Sequence, residues 1–302
     1  MQTTSHLLMI RPLHFAYNPQ TAVNNSFQVP GEQAEVAGKA LEEFDALVKK
    51  LRAHHIDVLV IEDSPEPHTP DAIFPNNWIS FHEPGTLCLY PMFAVNRRQE
   101  RKAGVIHTVE KRFDVQQKID FTFYEKDGLF LEGTGSMVLD RDNRIAYAGL
   151  SPRTDADVLN DFCAKLKYQA CVFHAYDEQG LLIYHTNVMM CVGDQFVVIC
   201  LDSIRDEEER KAVVEKISSS GKEIIPIGLH QVHQFAGNML QVENKEGKKY
   251  LVMSSAAYHS LSPDQIKSLS RFSEIIHAPL STIESNGGGS ARCMIAEIHL
   301  SQ

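Results

Sequence analysis

The chain has 302 residues, 43% hydrophobic and 23% charged, which supports a sizeable core and excludes a disordered chain. With 29 basic against 39 acidic residues, the formal net charge of −10 argues against a nucleic-acid partner but not against a cationic substrate. No apolar run is long enough for a transmembrane helix, so no membrane role is expected.

In chain order, short apolar runs predict strands at Leu7–Ile10, Val58–Ile61, Ala72–Phe74 with Ile79–Phe81, and Leu87–Tyr90. Further strands are expected at Leu129–Leu131 with Met137–Leu139, Val188–Val192, Phe196–Leu201, Met239–Val242, Tyr250–Met253 and Met294–Ile298. Helices are predicted over Gly31–His54, Arg97–Phe113, Thr154–Leu166, Asp206–Ser219 and Ser262–Phe272. Capping residues stand near several starts: Thr154 before Asp155, Ser203 near Asp206, and Ser262-Pro263 before an acidic turn. Paired strands followed by a helix, repeated, make an α/β alternation.

A repeat underlies this order. Polar anchors beside small or turn-forming residues fall at Asn76, Glu132, His185, Asn238 and Cys293, at intervals of 56, 53, 53 and 55 residues. After most anchors come a strand, a tight turn, a second strand and a helix. The turns are His82–Gly85, Asp140–Asn143, Gly193-Asp194 and Asn244–Gly247. Only nine residues follow Cys293, so the last unit needs the N-terminal strand and helix to complete it. The expectation is a closed ring of five ββα-like units, with the anchors meeting near the axis. Length alone suits one large domain or two. No Pro-, Gly- or Ser-rich linker splits the chain, so one domain over residues 1–302 is expected.

Three anchors carry chemistry. A thiol, an imidazole and a carboxylate brought together are the parts of a nucleophilic site. Cys293 would attack, His185 would move protons, and Glu132 would orient the imidazole or hold the substrate. Cys293 follows Ser285-Asn-Gly-Gly-Gly-Ser-Ala-Arg292, a glycine-rich loop able to bring backbone N–H groups close to a small substrate. The side chain of Arg292 should point away from Cys293 across the strand. Leu131-Glu-Gly-Thr-Gly-Ser136 fails as a nucleotide loop, because Val138 stands where a third glycine is needed. His230 and His233 form an HxxH pair with no third ligand near them, and they are expected in a polar loop. The six cysteines show no CxxC pair and no zinc spacing, and four lie in apolar strand-like runs (Cys88, Cys171, Cys191, Cys200). Neither a metal nor an organic cofactor is called for. The apolar stretch Leu7–Ile10 is too short for a signal peptide, and no basic segment precedes it. Together with the reduced look of the cysteines, this predicts a cytoplasmic protein.

These motifs resemble the guanidino-group-modifying superfamily of dimethylarginine dimethylaminohydrolases, arginine and agmatine deiminases, and amidinotransferases. The resemblance rests on Asp71-Ala-Ile-Phe-Pro-Asn76-Asn77, Leu131-Glu132-Gly133, Gly149-Leu-Ser-Pro-Arg153-Thr154, His185–Asp194 and Gly287–Cys293. It implies a five-bladed α/β propeller, the pentein fold, and a Cys293 nucleophile served by His185 and Glu132. It also implies that Asp71, Asn76 and Asn77 contact the reacting end of an amino-acid substrate. Arg153, with Arg97 or Arg98, would hold its carboxylate. Relatives of this kind are often homodimers, although no interface pattern is legible in the chain. The phrases Ile10-Arg-Pro, Gln20–Asn25, Phe74–Trp78 and Asn286–Cys293 are most similar to the citrulline-utilization hydrolase branch.

One departure bears on the substrate. Where dimethylarginases and deiminases place carboxylates, this chain has Asn76 and Asn77. A planar guanidinium pairs best with paired carboxylates. A ureido group is neutral, and an amide can both donate to its oxygen and accept from its NH2. The asparagines therefore favour citrulline over arginine, while Asp71 and Glu132 keep a guanidinium in play. Alternatives are an amidinotransferase, a dimethylarginine or arginine deiminase-type enzyme, and a non-catalytic binding protein on the same scaffold. A papain-like hydrolase has a different chain order of Cys and His.

Overall fold

The computed structural model describes residues 1–29 and 33–302, with the backbone alone for Gln33 and Ala34. Its fifteen strands form five three-stranded sheets of one pattern. In the second blade, β3 (Ile79–His82) runs antiparallel to β4 (Thr86–Leu89), which pairs in parallel with β5 (Gln117–Asp120). The third blade repeats this with β6 (Val138–Asp140), β7 (Ile145–Gly149) and β8 (Gln169–Phe173). The fourth uses β9 (Met190–Val192), β10 (Phe196–Ile199) and β11 (Glu223–Pro226), and the fifth β12 (Leu240–Glu243), β13 (Lys249–Ser254) and β14 (Glu274–Ala278). The first blade closes the ring with strands from both chain ends. There β15 (Ala296–Glu297) pairs antiparallel with β1 (His6–Arg11), which runs parallel to β2 (Asp57–Glu62). The expected five units are thus present, each ββαβ, because a parallel third strand needs a crossover connection.

The crossover helices follow their apolar spacing. In the helix Gln33–Ala53, Val36, Ala40, Phe44, Leu47, Val48 and Leu51 form one stripe and bury against Val58, Ile276 and Ile283. Gly31, its expected start, lies outside the described residues. The helix Ala156–Leu166 is capped by Asp155, whose side chain accepts from the N–H groups of Asp157 and Val158. Asp206 caps Glu207–Ser219 in the same way, and Ser262 forms a capping box with Gln265. The caps are therefore Asp155 and Asp206, not Thr154 and Ser203, because a carboxylate one residue before the first turn reaches two free amides.

Several expected elements differ. Ala72–Phe74 is a turn leading into the 3-10 helix Pro75–Asn77, because Pro75 has no N–H for a ladder. Leu129–Leu131 contributes only one bridge, Leu131 to Thr154. The predicted helix Arg97–Phe113 is divided into a 3-10 turn, Val95–Glu100, and a helix, Ala103–Glu110. His230 and His233 sit on a short helix, Leu229–His233, rather than in a loop. The outer strands β5, β8, β11 and β14 were not expected. Each has solvent on part of its surface and so lacks a continuous apolar run.

Candidate active site

Each inner strand is entered through an anchor, and the fold brings these entries together. Asn76 lies in the turn Pro75–Asn77, Glu132 precedes the helical turn Gly133–Ser136, and His185 precedes the turn Thr186–Val188. Asn238 and Cys293 stand before β12 and β15. A small cavity lies among them, walled by Asp71, Asn77, Arg97, Arg153, His185 and Cys293 together with Thr21, Asn25, Phe74, Tyr184, Gly287 and Gly289.

The imidazole and carboxylate are paired. His185 Nε2 lies 2.8 Å from Glu132 Oε2, and both side chains are buried. Glu132 Oε1 accepts from the Phe93 backbone N–H, and Oε2 also faces Arg153 at 3.5 Å and Arg97 at 3.9 Å. Burial pushes the Glu132 carboxyl up, but Arg153, the His185 hydrogen bond and Arg97 outweigh it and hold the group at about 2. Burial also disfavours imidazolium and, against Glu132, brings His185 down to about 4. His185 is therefore neutral at pH 7. The carboxylate partner fixes its proton on Nε2, so Nδ1 is the basic nitrogen. Glycine at 135 makes room for this ring, because a Cβ there would lie 2.8 Å from Nδ1.

Asp71 is almost completely enclosed. Its Oδ2 accepts from Asn18 and Thr21, whereas Oδ1 has no partner among the described residues. Burial raises its carboxyl above the usual range, against the pull of Arg97 3.8 Å away. An enclosed acceptor without a donor at the cavity wall suits a substrate N–H.

Arg97 binds Glu100 through two bonds of 2.8 and 2.9 Å and donates to Asn77 Oδ1 at 2.8 Å. A guanidinium only donates, so it fixes the orientation of the Asn77 amide. The Asn77 Nδ2 group in turn donates to Asn76 Oδ1 at 3.0 Å. The oxygen of Asn77 already accepts one bond from Arg97 and keeps a second lone pair, while Asn76, whose oxygen accepts from Asn77, is absent from the cavity wall.

Arg98 is also outside the wall. It donates to the Met92 carbonyl and lies over the Phe130 ring. Arg153 is inside, bonded to Asn24 Oδ1 and the Thr21 carbonyl and stacked 4.9 Å from the Tyr184 ring centre. The side chain of Arg292 bonds Glu297, but Arg292 and Cys293 lie in a turn before β15 rather than on a strand, so strand alternation is not the reason. The glycine-rich segment is partly helical, Ser281–Gly287, and its end contributes Gly287 and Gly289 to the wall.

Sequence reasoning missed several groups. Tyr184 donates to the Gly288 carbonyl and packs on His185. Thr21 and Asn25 line the cavity from the segment before the helix Gln33–Ala53, and Asn18 there holds Asp71. Asn187 and Asn238 each donate to Cys293 Sγ, at 3.5 and 3.2 Å. The signal for Asn238 was its place as an anchor, and for Asn187 its place two residues after one. All six cysteines are free and buried. Among the described residues no cluster of His, Cys, Asp and Glu is arranged to hold a metal, and no helix is long and apolar enough to cross a membrane.

The profile of the family described as N,N dimethylarginine dimethylhydrolase, eukaryotic, matches residues 11–300. The chain belongs to this family. This places it within the guanidino-group-modifying superfamily. No curated protein matches the chain. Among solved structures, it is similar to ArgZ, an arginine dihydrolase from the ornithine–ammonia cycle in cyanobacteria, with a TM-score of 0.77 and 17% identity. That match covers 98% of this chain and 41% of ArgZ, so the chain spans about two fifths of the full-length relative. The N-terminal domain of ArgZ alone, bound to substrate, is matched over 98% of both chains. A dimethylarginine dimethylaminohydrolase adduct with S-methyl-L-thiocitrulline matches over 98% of this chain and 99% of that one, with a TM-score of 0.66 and 14% identity. All share the five-bladed α/β propeller of the family member described here.

Proposed function

We propose that this chain, as one propeller domain, hydrolyses the ureido or guanidino carbon–nitrogen bond of an arginine-like amino acid through a covalent Cys293 adduct, and that citrulline is its substrate. The observation that carries this reading is the meeting, at one small cavity, of Cys293, the neutral His185 held by the Glu132 carboxylate, and the unpartnered Asp71 oxygen. Citrulline is favoured by what lies beside them. Asn77 and Arg97 present N–H donors, which suit a carbonyl oxygen, and two arginines already face the carboxylates that a substrate guanidinium would need.

In the reaction, Cys293 passes its proton to Nδ1 of His185 as sulfur attacks the ureido carbon. His185 gives that proton to the departing nitrogen as its bond to carbon breaks. Water then loses a proton to His185 and attacks the thioester-like carbon. The carbon–sulfur bond breaks, and the sulfur regains its proton. Glu132 stabilises the imidazolium formed between these transfers. Asp71 accepts from a substrate N–H, and Arg153 lies within reach of a negatively charged substrate group.

The free Asp71 oxygen favours a second reading, a guanidinium substrate such as arginine or a methylated arginine. The test is release of ornithine, citrulline and ammonia from L-citrulline, L-arginine and N-methylated arginines, with Cys293→Ala as blank. Ornithine from citrulline alone supports the first reading. Citrulline formed from arginine or methylarginine supports the second. Turnover of none overturns both.

A further inference from the structure

The anchor at Gly237-Asn238 has no part in the proposed proton transfers, yet Asn238 lies against the sulfur. Glycine at 237 permits this. A Cβ there would stand 2.3 Å from the Val188 carbonyl oxygen and 2.6 Å from the Met189 carbonyl carbon, so any larger residue would push Asn238 away from the neighbouring blade. The Asn238 amide is then fixed on both sides. Its Oδ1 accepts the Arg292 backbone N–H at 3.0 Å, which identifies the oxygen, and its Nδ2 points to Cys293 Sγ at 3.2 Å and to the Asn187 carbonyl at 3.0 Å. From the adjoining blade, Asn187 Nδ2 donates to the same sulfur at 3.5 Å. Its Oδ1 is buried and has no hydrogen-bond partner among the described residues.

We propose that Asn238 and Asn187 form an amide clamp that carries the negative charge on the Cys293 sulfur and fixes its direction at the cavity wall. The inference rests on the reading of Cys293 as nucleophile. A cysteine enzyme commonly holds its thiolate beside an imidazolium or another cation. Here the buried imidazole is neutral at pH 7 and is committed to Glu132. The nearest arginine in sequence, Arg292, is turned to Glu297. Two amide N–H groups from separate blades supply the missing stabilisation without adding a charge, as hydrogen bonds to an anion do. Both touch the reacting atom, so both are catalytic residues in the strict sense.

The experiment is alkylation of Cys293 by iodoacetamide, followed by mass spectrometry across a pH series, on the wild-type chain and on Asn238→Asp and Asn187→Ala. Sulfur attacks the methylene carbon and iodide leaves, so no substrate is involved. Asn238→Asp keeps the acceptor for Arg292 and replaces the donor facing sulfur by a carboxylate. Its alkylation should move to higher pH and slow on the order of 10- to 100-fold at neutral pH. Asn187→Ala should shift in the same direction by less. If Asn238→Asp does not fold, the folded Asn187→Ala chain decides alone. Wild-type pH profiles in the folded variants overturn the clamp. A shifted profile in a chain that turns over none of the substrates above leaves the clamp standing and removes only the proposed reaction.

Discussion

The two ends of the propeller axis carry almost the same charged groups. At the end where the inner strands begin, Arg153 and Arg97 face Glu132, which holds His185. At the end where they finish, Arg292 and Arg141 face Glu297, beside His299. Both carboxylates are held below their ordinary range, burial being outweighed by the arginines, and burial brings both imidazoles to about 4. A small cavity opens at each end, the far one lined by His82, Arg141, Arg144 and His299 among others. The difference lies elsewhere. Of the six buried side-chain atoms without a partner among the described residues, four belong to Asp71, Asn76, Asn187 and Asn286, in the segments that build the thiol-bearing cavity. None belongs to the far cluster. Buried charge and shifted titration thus mark both ends, whereas a free thiol among orphaned donors and acceptors marks one.

The largest expected effect separates the ends by activity. Cys293→Ala should abolish turnover, and His185→Ala should lower kcat on the order of 10²–10⁴-fold. His299→Ala, in a group with equal burial and a similar carboxylate neighbour, should leave kcat near that of the wild type. Equal losses in the two histidine variants, each shown to be folded, would mean that the two clusters act as one and that the comparison fails.

Stability should give the opposite ranking. Glu297→Gln leaves Arg292 and Arg141 buried without their carboxylate, which costs about 3–5 kcal/mol in comparable buried pairs. Urea unfolding should show that loss while the folded fraction keeps its kcat. Loss of kcat at unchanged stability would instead give the far cluster a part in the chemistry.

How much of this was legible in the sequence follows from the same contrast. The five anchors were visible because each stands before an apolar inner strand, at nearly constant spacing. Cys293, His185 and Glu132 were therefore found as a set, and family motifs added Asp71, Arg153 and Arg97. The outer strands were hidden because half-exposed segments such as Gln117–Asp120 carry no apolar run. The direction of the Asn77 amide was hidden for another reason. It depends on Arg97, twenty residues away, whose guanidinium reaches it only after the turn Val95–Glu100 forms. The far cluster was not legible, since Arg141 follows β6 in one blade while Arg292 and Glu297 belong to the segment of β15 in another, and the three share no local motif.

Acid should test both ends together. An unfolded histidine titrates near 6.5, while His185 and His299 titrate at about 4. Between these values the unfolded chain binds protons that the folded chain refuses, so stability should rise with pH from 4 to 6.5 and level off above. Glu132, held at about 2 against 4.5, contributes stability that is present above 4.5 and lost as pH falls toward 2. Urea midpoints measured across this range should show the slope, and His185→Asn and His299→Asn should each flatten part of it. A flat profile in the wild-type chain would contradict the burial of both imidazoles as neutral groups.

The smallest expected effect concerns what closes the far end. The side chain of Gln2 donates to the carbonyls of Leu139 and Val192, on β6 and β9, and accepts from the Arg141 backbone N–H. One amide thus joins two inner strands where they finish, in the place that at the other end is taken by the thiol-bearing cavity. Gln2→Ala would leave two carbonyls and one N–H without these partners, a cost of about 1–3 kcal/mol where water does not replace them. Thermal unfolding should fall accordingly, with kcat unchanged. Because three bonds are lost but no charge is exposed, the effect should be smaller than that of Glu297→Gln. If it is as large, the end of the axis is held by the amide rather than by its ion pairs. If kcat falls with it, closure at the far end sets the spacing of the strand entries that carry His185 and Cys293.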